Sequence, residues 1–163
     1  MPDLTMPSKP TSNNFTFNER SDRLLMDAHP DLQRLTRRAL SVSEVPFQVH
    51  EVARTLEKQK EYLAKKLTTT LKSRHIPRKK QDGGNGVSHA VDVHPLINGE
   101  AKWDWPLFTA INKAFKLASK QLGIPYEWGG DWKTFPDGPH FQLPWASYPD
   151  NKTVEMKPEL EPL

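Results

Sequence analysis

Cysteine is absent from the 163 residues of this chain. Disulfides, thiolate metal sites and cysteine nucleophiles are therefore excluded, and any transition metal must be held by histidine, aspartate or glutamate. Long apolar runs are missing as well, since no stretch approaches the roughly 20 residues that a spanning helix requires. Met1 to Asn14 lacks a basic segment followed by an apolar one, so no signal peptide is read and synthesis in the cytosol is expected. No internal repeat is visible, which leaves a length of about one domain. What remains is 26% charged and 36% apolar residues with 15 prolines, the composition of a soluble globular unit with polar or extended ends. A formal charge of +3 favours weak attraction to anionic polymers such as nucleic acid, lipopolysaccharide or cell wall, without specificity.

The pattern of apolar positions predicts an α+β fold, a small antiparallel sheet flanked by helices. Residues 1–14 read as a flexible arm, 15–145 as the folded domain and 146–163 as an extended, mildly acidic tail. A short helix starts at Asn18 with Leu24, Leu25 and Ala28, and His29-Pro30-Asp31 separates it from a second carrying Leu32, Leu35, Ala39 and Leu40. Val45 to Val49 and Val87 to Val93 read as strands. Between them Thr55 to Leu67 reads as a helix with Leu56, Leu63, Ala64 and Leu67 inward. Pro77 to Gly86 is basic, then glycine-rich, and is expected to be a solvated loop. Asn98-Gly99 signals a turn, and Trp105 to Leu122 a helix with Leu107, Ile111, Ala114, Phe115 and Ala118 inward, capped by Gly123. Tyr126 to Trp128 and His140 to Leu143 are short strand candidates, and Trp103 and Trp105 are expected in the core.

Three polar fragments carry the chemistry: Ser73-Arg74-His75, Ser88-His89-Ala90-Val91-Asp92 and Asp137-Gly138-Pro139-His140-Phe141. His75, Asp92 and His140 form a three-ligand set of the kind that holds a catalytic zinc with one position left for water. Asp137 stands three residues before His140, where Gly138-Pro139 disfavours helix, so its carboxylate can turn back as a general base. Six histidines allow other triplets. On a strand, His94 projects to the same side as Asp92 and is the better rival ligand, while His89 projects away. His29 and His50 read as a helix terminus and a surface or packed position. Trp128 and Trp132 bracket Gly129-Gly130 and either line a groove or pack a core. Arg78-Lys79-Lys80 reads first as a solubilising segment and second as a contact to anionic wall polymer, and Asp82 in the same loop hints at a flap or a secondary cation site.

Ser73-x-His75, Ala90-x-Asp92 and Asp137-x-Pro139-His140-Phe141, with the upstream run Phe47-x-Val49-x-Glu51-x-x-Arg54-Thr55-x-Glu57-x-Gln59, resemble the VanY-like zinc peptidases. These are the D-alanyl-D-alanine carboxypeptidases and the phage L-alanoyl-D-glutamate endopeptidases. The Asp-x-Pro-His form is most similar to the phage endolysin branch, and the resemblance spans residues 24–143. It implies a VanY/Hedgehog-like fold, a Zn2+ cofactor on His75, Asp92 and His140, Asp137 as base, and Arg54 facing the site to neutralise an oxyanion or hold a substrate carboxylate. Ser73, Trp128 and Trp132 would then contact substrate.

The partner implied is the peptidoglycan stem peptide, with no nucleic acid and a monomeric enzyme. That enzyme would wait in the host cytoplasm and lyse the host wall once the inner membrane is permeabilised. A D,D-carboxypeptidase is the nearer alternative, and a non-catalytic wall- or nucleic-acid-binding module the more distant one. Two departures from the family pattern stand out. Sixteen residues separate His75 from Asp92 where the family usually has six, with Ser88 in place of a glycine, and Val52 stands where a glycine is common.

Overall fold

Local chemistry places the helices. The Asn18 side chain accepts the Ser21 N–H at 2.7 Å and starts α1, Glu19–Leu25. His29 Nδ1 accepts the Asp31 N–H at 3.0 Å, and Pro30 presets the first turn of α2, Pro30–Val42. The longest helix, α4 (Trp105–Leu122), carries a proline in its first turn and ends at Gly123, whose φ of 70° lets its N–H reach the Ser119 carbonyl. The computed structural model describes residues 13–68, 70, 72–77 and 86–149. Most of the expected N-terminal arm, residues 78–85 of the basic loop with Arg78, Lys79, Lys80 and Asp82, and the tail from Asp150 onward lie outside the described residues.

Four strands form an antiparallel path: β1 (Phe47–Glu51), β2 (Ala90–Ile97), β5 (His140–Gln142) and β4 (Glu127–Trp128), in that spatial order. A fifth, β3 (Glu100–Ala101), folds back on β2 through Asn98 and Gly99, both at positive φ (53° and 81°), the conformation a tight hairpin demands. The architecture is α+β with a small antiparallel sheet, as the apolar pattern predicts. Leu32, Leu35 and Ala39 of α2 and Ile111, Phe115 and Ala118 of α4 are buried with Val91, Val93 and Phe141 of the sheet. Phe115 stacks on Phe141 with ring centroids 3.9 Å apart and planes 8° from parallel. Phe141→Ala would leave a cavity under the strand that carries His140, and a loss of about 3–5 kcal/mol in denaturant unfolding is expected.

Two expectations about burial need correction. Helix α3 is shorter than the leucine spacing suggests (Leu56–Ala64), and Leu56, Leu63 and Leu67 are 44%, 37% and 58% exposed. The helix is rotated so that Gln59 turns inward, where its amide reaches Arg54 and the Thr70 carbonyl. A polar anchor outweighs the leucine stripe because α3 borders a cleft rather than the core. Trp103 and Trp105 are 51% and 49% exposed and lie outside the core, while Phe108, unassigned by the spacing, fills it. Helix α4 begins at Trp105, and its buried residues start only at Phe108, so both tryptophans precede the face that packs on the core.

Candidate active site

Strand register brings the polar fragments together. Asp92 pairs with His140 across β2 and β5 and with Glu51 across β2 and β1. On β5, alternation sends Phe141 into the core and leaves His140 and Gln142 on the other side. His75 arrives from the segment after α3. Its N–H donates to Ser73 Oγ, its carbonyl accepts the Arg54 N–H at 2.9 Å, and the neighbouring Arg74 carbonyl accepts the His89 N–H at 2.8 Å. The ligand-bearing turn is thereby tied to both β1 and β2.

His75 Nε2 lies 3.1 Å from Asp92 Oδ1 and 3.2 Å from His140 Nδ1, and His140 Nδ1 lies 3.3 Å from Asp92 Oδ1. Among the described residues this is the one group of three or more His, Asp or Glu side chains spaced to hold a metal ion. Donors arranged tetrahedrally at about 2.0–2.1 Å from zinc would stand about 3.3 Å apart, so the spacing fits. The outer ring nitrogens are engaged too. His75 Nδ1–H donates to the Val52 carbonyl at 2.8 Å, and His140 Nε2–H donates to Gln142 Oε1 at 2.7 Å, leaving Nε2 of one ring and Nδ1 of the other facing the centre.

Burial by itself would raise the Asp92 carboxyl, but the His75 and His140 imidazoles hold it well below the ordinary range. Asp92 is the ionised member that two histidines need. Asp137 behaves oppositely: burial, then the nearby Asp92 carboxylate, push its carboxyl above the ordinary value. Its Oδ2 lies 4.0 Å from His140 Nδ1, beside the donor trio but outside it. A carboxylate in that place, half-buried and raised, suits repeated proton transfer.

The loop carrying Asp137 rests on Gly129. Gly129 O accepts the Asp137 N–H at 2.9 Å, and a Cβ on Gly129 would meet the Asp137 carbonyl oxygen at 2.5 Å and the His140 Cβ at 3.0 Å. Gly129→Ala is therefore expected to push the Asp137 carboxylate away from the trio. The cost in stability is about 1–3 kcal/mol, and kcat falls by about 10²-fold at unchanged metal content. Thermal melts, kinetics and metal analysis on one preparation check this.

The other candidate residues divide between the cleft and its surroundings. Arg54 reaches the site, but its guanidinium donates to Glu51 and to Gln59 at 2.7 Å, lies 3.7 Å from Asp92 Oδ2 and stacks over Tyr62. It stands beside Asp92 Oδ2, while Oδ1 of the same carboxylate meets the histidines, and it lines the cleft. Trp132 lines the cleft with its ring centroid 4.9 Å from that of His140. Trp128 instead is buried, donates its indole N–H to the Gly138 carbonyl at 2.8 Å and stacks against Phe141, supporting the Asp137 loop from behind. Ser73 lies at the cleft wall with its hydroxyl taken by His75 N–H. Neither rival histidine joins the trio, since His94 packs against His50 and Trp103, and His89 against His29 and Tyr148.

The two family departures meet one another. Ser88 Oγ lies 3.0 Å from the Val52 carbonyl, the same oxygen that orients His75. Residues to which the sequence assigned no role include Gln142, legible from the i, i+2 alternation after His140, and Glu51 and Gln59, which anchor Arg54. All these groups border a cleft of about 580 Å3, open between Trp103 on one side and Lys72 and Trp145 on the other.

A model of the family "Phage L-alanyl-D-glutamate peptidase" matches residues 13–143. The L-alanyl-D-glutamate peptidase of Escherichia phage T5 is 34% identical over 147 residues, 88% of this chain and 98% of that protein. The protein of the same name from Listeria phage A118 is 29% identical over 100 residues, 61% of this chain but 31% of that longer protein. Among solved structures, the Serratia marcescens L-Ala D-Glu endopeptidase ChiX superposes with a TM-score of 0.72 at 39% identity, covering 83% of this chain and 96% of that one. With a match over nearly the whole described fold and a peptidase of the same architecture beside it, the chain belongs to the phage L-alanyl-D-glutamate peptidase family.

Proposed function

We propose that this peptidase hydrolyses the amide bond between L-alanine and D-glutamate in the stem peptide of peptidoglycan, using zinc held by His75, Asp92 and His140. The observation that carries the reading is the donor trio with Asp137 beside it in an open cleft, in a chain whose relatives bear that activity in their names. Zinc, when bound, would supply Lewis acidity and lower the pKa of a water toward about 7.

The chain's own groups do the rest. Ionised Asp137 takes a proton from the attacking water and, once protonated, passes it to the leaving amine of D-glutamate. Arg54, itself anchored by Glu51, faces Asp92 Oδ2 and so keeps Oδ1 with the histidines, which makes Arg54 a positioning residue. Trp132 and the loop from Gly129 to Asp137 wall the cleft beside His140 and limit water to one side.

One chain supplies every member of the trio, which supports a monomeric enzyme. Among the described residues no helix is long and apolar enough to cross a membrane. We read the route as release from the host cytoplasm to the wall once another protein opens the inner membrane. Digestion of purified muropeptides followed by mass spectrometry is the test. New amino termini on D-glutamate are expected, whereas free D-alanine as the product would mark a carboxypeptidase and refute the reading. A non-catalytic binding module would leave the muropeptides intact.

A further inference from the structure

Peptide length imposes a constraint on any enzyme with the function proposed above, on which this inference rests. L-Alanine is the first residue of the stem, joined through a lactyl group to N-acetylmuramic acid, so only two residue-length units separate the scissile carbonyl from the sugar. At 3.3–3.6 Å per unit at most, that reach is about 7 Å.

Strand β2 measures the same interval. Asp92 lies at the metal trio, and His94, two residues on, projects to the same side at about 6.6 Å. There Trp103 packs, its ring centroid 5.8 Å from His94, 5.3 Å from His50 and 6.0 Å from Phe108. Three rings brace Trp103, yet it remains 51% exposed at the cleft. A fixed aromatic face open to solvent suits stacking on the apolar C–H face of a sugar ring.

The opposite direction along β2 leads to Ala90, paired with Gln142, and to a different chemistry. Its aromatic ring, Trp145, is covered by cations: Arg74 sits 4.1 Å and Lys72 4.7 Å from the ring centroid. The Arg74 guanidinium donates to the carbonyls of Leu143, Pro144 and Tyr148, whereas the Lys72 ammonium is exposed with no carboxylate partner among the described residues. On the leaving side of the scissile bond the D-glutamyl residue, linked onward through its γ-carboxyl, presents a free α-carboxylate. Charge complementarity thus assigns that half to Lys72 and leaves Trp103 for the glycan.

We propose that the cleft is directional, with the face of Trp103 taking the N-acetylmuramyl ring and Lys72 taking the α-carboxylate of D-glutamate. The test compares kcat/KM on an N-acetylmuramyl stem peptide with that on the same peptide bearing an N-acetyl group in place of the sugar. The wild-type enzyme is expected to favour the sugar-bearing substrate. Trp103→Ala should lose about tenfold on it, through KM, and less than about twofold on the sugar-free one. Trp103→Phe should recover most of the loss. Lys72→Met should lose equally on both.

Equal losses on both substrates for Trp103→Ala, no wild-type preference, or a sugar-selective loss for Lys72→Met would overturn the assignment. Melting temperature and metal content of each variant separate misfolding from lost contact. Cleavage of both peptides without discrimination would sink this inference alone, while failure to cleave either would sink the function beneath it.

Discussion

Asp137→Asn is expected to lower kcat by about 10²–10⁴-fold while bound zinc and melting temperature stay at wild-type values. The substitution keeps volume and shape at a side chain that is 38% exposed, so packing is undisturbed. It removes a carboxylate that stands beside the trio, and with it the group proposed to take a proton before amide cleavage and return it afterwards. Because burial and Asp92 raise its carboxyl, Asp137 is suited to both roles. Steady-state kinetics with elemental analysis on the same sample checks the prediction. Loss of zinc together with activity would instead make Asp137 a ligand.

Asp92→Asn is expected to act at a different level, weakening metal affinity by about 100-fold or more. Oδ1 of Asp92 touches both histidines and Oδ2 faces Arg54, so one ionised carboxylate balances the metal side against the guanidinium side. An amide keeps the hydrogen-bonding shape and loses the charge. Arg54 and Glu51 remain paired, so the fold should survive and the defect should be one of affinity, partly relieved by excess zinc. Competition with a zinc chelator of known affinity measures it. Unchanged affinity would remove Asp92 from the ligand set.

The sequence announced the elements that rest on local rules. Asn18, His29 with Pro30, and Gly123 set helix boundaries through caps and turn geometry, and Asn98-Gly99 set a hairpin, all of which act within a few residues. The donor trio was legible because its residue types and flanking motifs are unusual in combination. What escaped depended on contacts between distant segments. The leucine stripe of α3 could not reveal that Gln59 has a better inward partner in Arg54. Trp103 stands exposed where a core position was expected, and Trp128 takes the core alternative of the two that its spacing left open, because large aromatic side chains look alike in one dimension. Arg54 was found by motif, but its orientation beside Asp92 followed from Glu51, one β-bulge away on β1. The meeting of Val52 and Ser88 on one carbonyl joins two positions 36 residues apart that have no local signal in common.

In the proposed function, His75, Asp92 and His140 hold a zinc ion on which stem-peptide cleavage depends. Its most direct test is to strip the purified protein of metal with a chelator and titrate zinc back while following zinc bound per chain and muropeptide cleavage together. Cleavage is expected to disappear with the metal and to return in proportion to zinc, saturating at one equivalent per chain. Full cleavage by metal-free protein, or zinc uptake unaffected by His140→Ala, would contradict it.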